Sequence, residues 1–166
     1  MADGQREVTK YPNESGDINT WYAGKLDGTI WGYTTVGIAQ TQEEMDAHLA
    51  NNKPNWGSKW GAGDVMYADL NGDGEVTSGS STLGDHGDLT VIGNSYARYN
   101  FGLTLDGSWK GLDFSVFLQG VMKRDYWLSG PYFWGASGDE WQSACFTEHL
   151  DYWTPDNPDA YYPKPY

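Results

Sequence analysis

Tyr99-Asn-Phe-Gly-Leu-Thr-Leu-Asp-Gly-Ser-Trp109, Lys110-Gly111, Leu112-Asp-Phe-Ser-Val-Phe-Leu-Gln-Gly-Val-Met122 is the stretch whose reading decides the fold. Lys110-Gly111 reads as a two-residue turn, with glycine free to take positive φ, so Trp109 falls opposite Leu112. One face then carries Trp109/Leu112, Gly107/Phe114, Leu105/Val116, Leu103/Leu118, Phe101/Gly120 and Tyr99/Met122, with no charged or amide side chain among them. The other carries Ser108/Asp113, Asp106/Ser115, Thr104/Phe117, Gly102/Gln119 and Asn100/Val121 and is mostly polar or small. A slip of one residue would invert both faces, so the pattern specifies its own register.

Strands this long exceed the roughly 5–6 residues usual in globular proteins and match the ~9–11 that cross a bilayer at a tilt. Tyr99 and Trp109 end the apolar band where interfacial aromatic girdles sit, and a two-residue turn suits the periplasmic side of an outer-membrane barrel. The pattern alone equally allows a soluble β-sandwich hairpin with this face buried.

Outside the hairpin, composition also points to an all-β chain. Aromatic residues make up 16% and 22 glycines break the chain into short segments. A formal charge of −13 repels nucleic acid, so no nucleic-acid partner is expected. The lone Cys145 excludes an intramolecular disulfide, and no Cys/His cluster suggests zinc. No run is apolar enough for a membrane-spanning helix, and Met1-Ala-Asp-Gly-Gln-Arg-Glu holds no signal-like apolar segment.

Residues 1–28 read as polar loop, and Thr29 to Ala39 as a strand bent by its glycines. Thr41-Gln-Glu-Glu44 is a capping box that opens one short helix, with Met45 and Leu49 on one face. Glu140 to Leu150 could form a second, brief helix.

Asp69-Leu-Asn71-Gly-Asp73-Gly74-Glu75-Val76 carries the chemistry. Asp69, Asn71 and Asp73 match positions 1, 3 and 5 of a calcium loop, Gly74 its sharp turn, Glu75 the carbonyl of position 7, and Val76 the apolar anchor. Position 12 departs from the pattern, because Ser80 stands there. Taking Thr77 to Gly84 as an insertion returns Asp85 to position 9 and Asp88 to position 12. The expected cofactor is therefore a structural calcium ion held by Asp69, Asn71, Asp73, Glu75 and Asp88; the bland alternative is a surface turn built from Asx and glycine residues. Trp56, Trp60 and Trp134 are candidate ligand-stacking residues, with a small satellite core as the competing role for Trp56 and Trp60.

Six landmarks in order carry a family resemblance: Ile30-Trp-Gly-Tyr33, Thr41-Gln-Glu-Glu-Met-Asp46, Gly63-Asp-Val-Met-Tyr-Ala-Asp-Leu-Asn-Gly-Asp-Gly74, Thr90-Val-Ile-Gly93, Phe114-Ser-Val-Phe-Leu-Gln-Gly120 and Tyr152-Trp-Thr-Pro-Asp-Asn-Pro158. Together they resemble the C-terminal part of SusC/RagA-like TonB-dependent outer-membrane transporters. The resemblance implies a barrel with an N-terminal plug in the outer membrane of a Gram-negative bacterium, importing oligosaccharides or peptides. Its partners would be a SusD-like surface lipoprotein and TonB, reached through the rest of the transporter chain. Residues 1–166 would then be part of a single barrel domain: loop 1–28, a strand and extracellular loop with the calcium-like site over 29–98, a transmembrane hairpin over 99–122, and an aromatic-rich extracellular loop over 123–166. The chain shows no plug and no TonB box, and the Thr77 to Gly84 departure weakens the expected calcium affinity.

The alternative is a stand-alone calcium-dependent carbohydrate-binding module. Catalysis is not expected. Asp139/Glu140 and Asp85/Asp88 are pairs of a kind common on solvated loops, and His48, His86 and His149 have no ligand spacing.

Overall fold

A computed structural model of the chain describes residues 4–130, 133 and 145–165. Among these the elements run β1 (Thr29–Gly32), β2 (Thr35–Ile38), α1 (Gln42–Leu49), β3 (Lys53–Pro54), β4 (Val65–Tyr67), β5 (Glu75–Val76), β6 (Thr90–Asn94), β7 (Tyr99–Trp109) and β8 (Leu112–Met122), then a short 3-10 turn at Thr147–Leu150. The strands pair as β1 with β6, β2 with β4, β3 with β5, and β7 with β8, giving four two-stranded sheets. All-β with one helix is the observed class. No closed barrel forms among the described residues, and no helix is long and apolar enough to cross a membrane.

The hairpin keeps the predicted register in every pair from Tyr99/Met122 to Trp109/Leu112. Lys110 at φ 47° and Gly111 at φ 85° give the two successive left-handed residues of a type I′ turn, whose twist matches that of the flanking strands. Two glycines on the apolar face lie under facing aromatic rings. The Phe114 ring covers Gly107 and the Phe101 ring covers Gly120, so a side-chain carbon at either glycine would collide with the ring. Nearly every residue of β7 and β8 is exposed, including Leu105 at 50% and Phe114 at 54%. An isolated two-stranded ribbon is marginal in water, so these side chains and both strand edges require further partners.

Two expectations change. The strand expected over Thr29 to Ala39 is two strands, because β1 pairs with β6 while β2 pairs with β4; a bulge between Thr35 and Gly37 lies within β2 itself. Of the helix expected over 140–150, the described part forms only the turn Thr147–Leu150; residues 140–144 lie outside the described residues. Residues 1–28 were expected as loop, and their described part folds back on itself, Val8 N–H donating to the Lys25 carbonyl at 2.9 Å.

Helix α1 begins where the capping box predicts. Thr41 accepts the Glu44 N–H at 3.1 Å, while the Glu44 carboxylate reaches the N–H of Gln40 at 2.7 Å, one residue earlier than the standard box. Met45, fully buried, packs with Ala39 and Met66, and Leu49 and Trp60 flank them.

The chain divides into two compact units, each described by itself. The first comprises Met1–Glu14, Thr20–Ile30 and Gly93–Trp127 and holds the hairpin. The second comprises Ser15–Asn19, Trp31–Ile92 and Leu128–Tyr166 and holds α1, the Asp69 to Asp88 loop and most of the aromatic residues.

Candidate calcium loop and aromatic groove

Alternating short oxygen side chains let the 69–75 segment hydrogen-bond to itself. Asp69 accepts the N–H groups of Gly72 at 2.6 Å and Gly74 at 2.8 Å on its two carboxylate oxygens. Asp73 N–H donates to Asn71 Oδ1 at 2.9 Å, and Glu75 N–H donates to Asp73 Oδ1 at 2.8 Å. Gly72 and Gly74 sit at φ 79° and 90°, the left-handed conformation that lets so tight a loop close. These donors, that of Gly74 first, hold the Asp69 carboxyl below its ordinary value.

Asp88 returns to this loop from eleven residues beyond Thr77. Fully buried, it accepts the N–H groups of Leu70 at 2.7 Å, Asn71 at 3.3 Å and Thr77 at 2.7 Å, the first two being the residues that follow Asp69. Asp69 and Asp88, far apart in sequence, are thus brought together. Asp85 is not. Its carboxylate accepts the Ser80 hydroxyl and N–H, closing a separate turn inside the 77–88 excursion, so the expected position 9 is spent elsewhere.

Val76 is fully buried, as the anchor role requires. Strand β5 runs parallel to β3, which draws on the carbonyls of Gly74 and Val76 through the N–H groups of Lys53 and Asn55. Strand alternation turns the Glu75 carbonyl to the opposite side. The donor set is therefore all oxygen, the chemistry of a hard cation. Among the described residues, however, no three His, Cys, Asp or Glu side chains converge to hold a metal, because the carboxylates are engaged by backbone N–H groups.

The aromatic candidates part company. Trp56 packs on Tyr33, with ring centres 4.7 Å apart, and meets Tyr67 edge-on at 5.6 Å. Trp60 leans on the Met45 core and on Tyr67 at 6.3 Å, and it also lines a groove of about 390 Å³ with Tyr67, Phe133, His149, Tyr152 and Tyr162. Asp64 and Lys164 supply charge at that groove. Burial, and then the nearby Tyr33, raise the Tyr67 phenol above its ordinary value. Trp134 lies outside the described residues.

The groove was not legible as a site because its walls come from distant segments. Trp153 N–H donates to the Tyr162 carbonyl at 2.8 Å, and Lys164 N–H to the Gly63 carbonyl at 2.9 Å, which straps residues 160–165 across the loop beside Gly63. The Trp153 indole N–H donates to Gln40 Oε1 at 2.9 Å and fixes the strap near α1. The three histidines stay apart: His48 on the Tyr67 carbonyl, His86 against Trp31, His149 against Tyr162.

The β7–β8 ribbon has eleven residues in each strand, one exposed apolar face and no third strand beside it among the described residues. The chain is 29% identical over 136 residues to TonB-dependent receptor P26 of Formosa agariphila, a match covering 80% of this chain and 12% of that protein. No family model matches the chain, and no solved structure does.

Proposed function

We propose that this chain is part of the wall and extracellular loops of an outer-membrane, TonB-dependent nutrient importer of the SusC/RagA-like kind. The observation that carries the reading is the β7–β8 ribbon. Eleven-residue strands are roughly 36 Å long at about 3.3 Å per residue, so at a tilt of about 35–45° they span the ~25 Å apolar band of such barrels. Similarity to a receptor of that name supports it independently. Neighbouring strands in the rest of the transporter would satisfy both edges of the ribbon, lipid its apolar face, and the barrel lumen its polar face.

In this reading the second unit is extracellular. Asp69, Asn71, Asp73, Asp88 and the Glu75 carbonyl would hold a calcium ion, which would neutralise facing carboxylates and stiffen the loop. Support comes from the hard oxygen donors and from the return of Asp88 to the N–H groups of Leu70 and Asn71, beside Asp69. The aromatic groove would contact an oligosaccharide or peptide cargo, or a SusD-like lipoprotein lid, through Trp60 and Tyr67. Energy would arrive through TonB, and the chain would bind and guide rather than catalyse.

A free-standing carbohydrate-binding module would use the same groove, but it would have to bury the hairpin face that is exposed here. Fractionating cells with an antibody to residues 41–75 separates the two. A detergent-extracted species several-fold heavier than 18.5 kDa is expected; a soluble species of 18.5 kDa overturns the transporter reading. For the ion, Asp73→Ala is expected to abolish calcium binding in calorimetry, and unchanged binding would remove the loop assignment.

A further inference from the structure

Asn71-Gly72, at the centre of the Asp69 to Val76 loop, joins two groups that the chain pairs nowhere else: none of the other asparagines precedes glycine. An asparagine carboxamide carbon and the next peptide nitrogen can close a cyclic imide, and a side chain on the following residue obstructs that closure. Glycine carries no such obstruction. Gly72 is exposed at φ 79°, and a side-chain carbon added to it would meet nothing within 4 Å, so no neighbouring atom crowds the peptide on that side.

The loop also orients the carboxamide. Asn71 Oδ1 accepts the Asp73 N–H at 2.9 Å, an Asx turn that curls the side chain over the Gly72 peptide and draws electron density from Cγ. A donor aimed at the oxygen on which charge develops favours addition to a carbonyl. Asn71 Nδ2, the nitrogen that would depart, donates to Asp73 Oδ2 at 2.9 Å. One contact opposes ring closure. The Gly72 N–H donates to Asp69 Oδ1 at 2.6 Å, and so short a charge-assisted bond disfavours the deprotonated, nucleophilic nitrogen. Asn94 supplies a comparison within the chain. Its Oδ1 accepts the Tyr96 N–H at 2.8 Å in an equivalent turn, but serine follows it, and the Ser95 N–H goes to the Gly28 carbonyl at 2.8 Å.

We propose that Asn71 is a self-modification site, converted to aspartate or isoaspartate through a cyclic imide, and that Asp69 restrains the conversion. Once the Gly72 N–H leaves Asp69, a solvent hydroxide takes its proton and the nitrogen attacks Asn71 Cγ. The new N–C bond forms as the Cγ–Nδ2 bond breaks, and Nδ2 takes a proton from water to leave as ammonia, which restores the hydroxide. Water then opens the imide at either carbonyl. Opening at the side-chain carbonyl gives aspartate in a normal backbone; opening at the main-chain carbonyl routes the chain through Cγ and gives isoaspartate. Aspartate adds negative charge between Asp69 and Asp73. Isoaspartate lengthens the backbone by a carbon and takes the bond to the Asp73 N–H out of register. Neither a bound ion nor a membrane takes part in this chemistry.

The full-length protein is aged in mildly alkaline buffer with a chelator, and residues 60–98, which trypsin releases between Lys59 and Arg98, are followed by fragmentation mass spectrometry. Isoaspartyl methyltransferase reports the rearranged product. Conversion of Asn71 is expected to run several-fold faster than that of Asn94 and to yield both products. Asp69→Ala is expected to accelerate Asn71 several-fold further and to leave Asn94 unchanged. Asp88→Ala loosens the same region but leaves the Asp69 carboxylate on Gly72, and is expected to change the Asn71 rate less. Conversion of Asn71 no faster than that of Asn94 overturns the proposal. An Asp69→Ala rate at or below that of the wild type overturns the restraint, as does equal acceleration by Asp88→Ala, which would trace the effect to loosening alone.

Discussion

The two units of this chain satisfy their backbones in different ways. The unit holding the hairpin has seven cationic and seven acidic residues; the unit holding the loops has three cationic and sixteen acidic, and so carries the whole charge of −13. The first builds an eleven-pair ladder and leaves its leucines, valines and phenylalanines exposed. The second builds strands of two to five residues and buries Ala39, Met45, Met66 and Val76 around them. Regular backbone pairing is the dominant order in the hairpin, and side-chain capture of loop N–H groups is the dominant order around Asp69 and Asp88. One chain thus shows two ways of satisfying a backbone, and in the proposed membrane reading the first suits lipid and the second water.

The contrast breaks most visibly at the hairpin. Val116→Arg is expected to cost roughly 2–4 kcal/mol at mid-bilayer and to block membrane assembly of the full-length protein. Normal insertion of that variant, judged by heat-modifiable migration, would show that the face does not meet lipid. In the loop unit, Asp88→Ala strips the acceptor from three N–H groups, and losing partners for buried groups costs about 1–3 kcal/mol each. It should expose residues 69–88 to protease while leaving the hairpin intact; wild-type cleavage rates would mean that the loop does not depend on this clamp.

A subtler break is Gly120→Val, which drives a side chain into the Phe101 ring and is expected to cost about 1–3 kcal/mol of overpacking. Unchanged thermal stability of the full-length barrel would show that the ring is free to move. The smallest effect concerns the Asp69 carboxyl, whose depressed ionisation means that its loop stabilisation is present above the ordinary value of 3.8 and is lost as pH falls through its lower, folded value. The Gly72 and Gly74 amide resonances should therefore titrate with a midpoint below 3.8 in NMR; a midpoint at or above it would remove the hydrogen-bond account.

What the sequence revealed follows the same divide. Period-two alternation and one glycine turn are local, and they were enough to set every pair of β7 and β8. The N-terminus of α1 was legible for the same reason, since Thr41 and Glu44 act within one turn. By contrast, β1 and β2 read as one strand because their separate partners, β6 and β4, are chosen by distant segments. Asp88 was aligned with the loop by counting, yet the same counting set Asp85 at position 9, whereas its carboxylate goes to Ser80 within the intervening turn. The groove beside Trp60 escaped notice since Tyr152 and Tyr162 reach it only through backbone bonds of the C-terminal strap.

The Asp88 clamp has a practical consequence. By tying Thr77 to Leu70 and Asn71 it fastens the base of the 77–88 excursion, whose far part is held in turn by the Leu83 N–H on the Gly16 carbonyl and by the pairing of Thr82 with Asp85. Gly84, where an added side-chain carbon meets nothing within 4 Å, is therefore the position at which a single substituted cysteine would carry a fluorescent label without disturbing the frame around it.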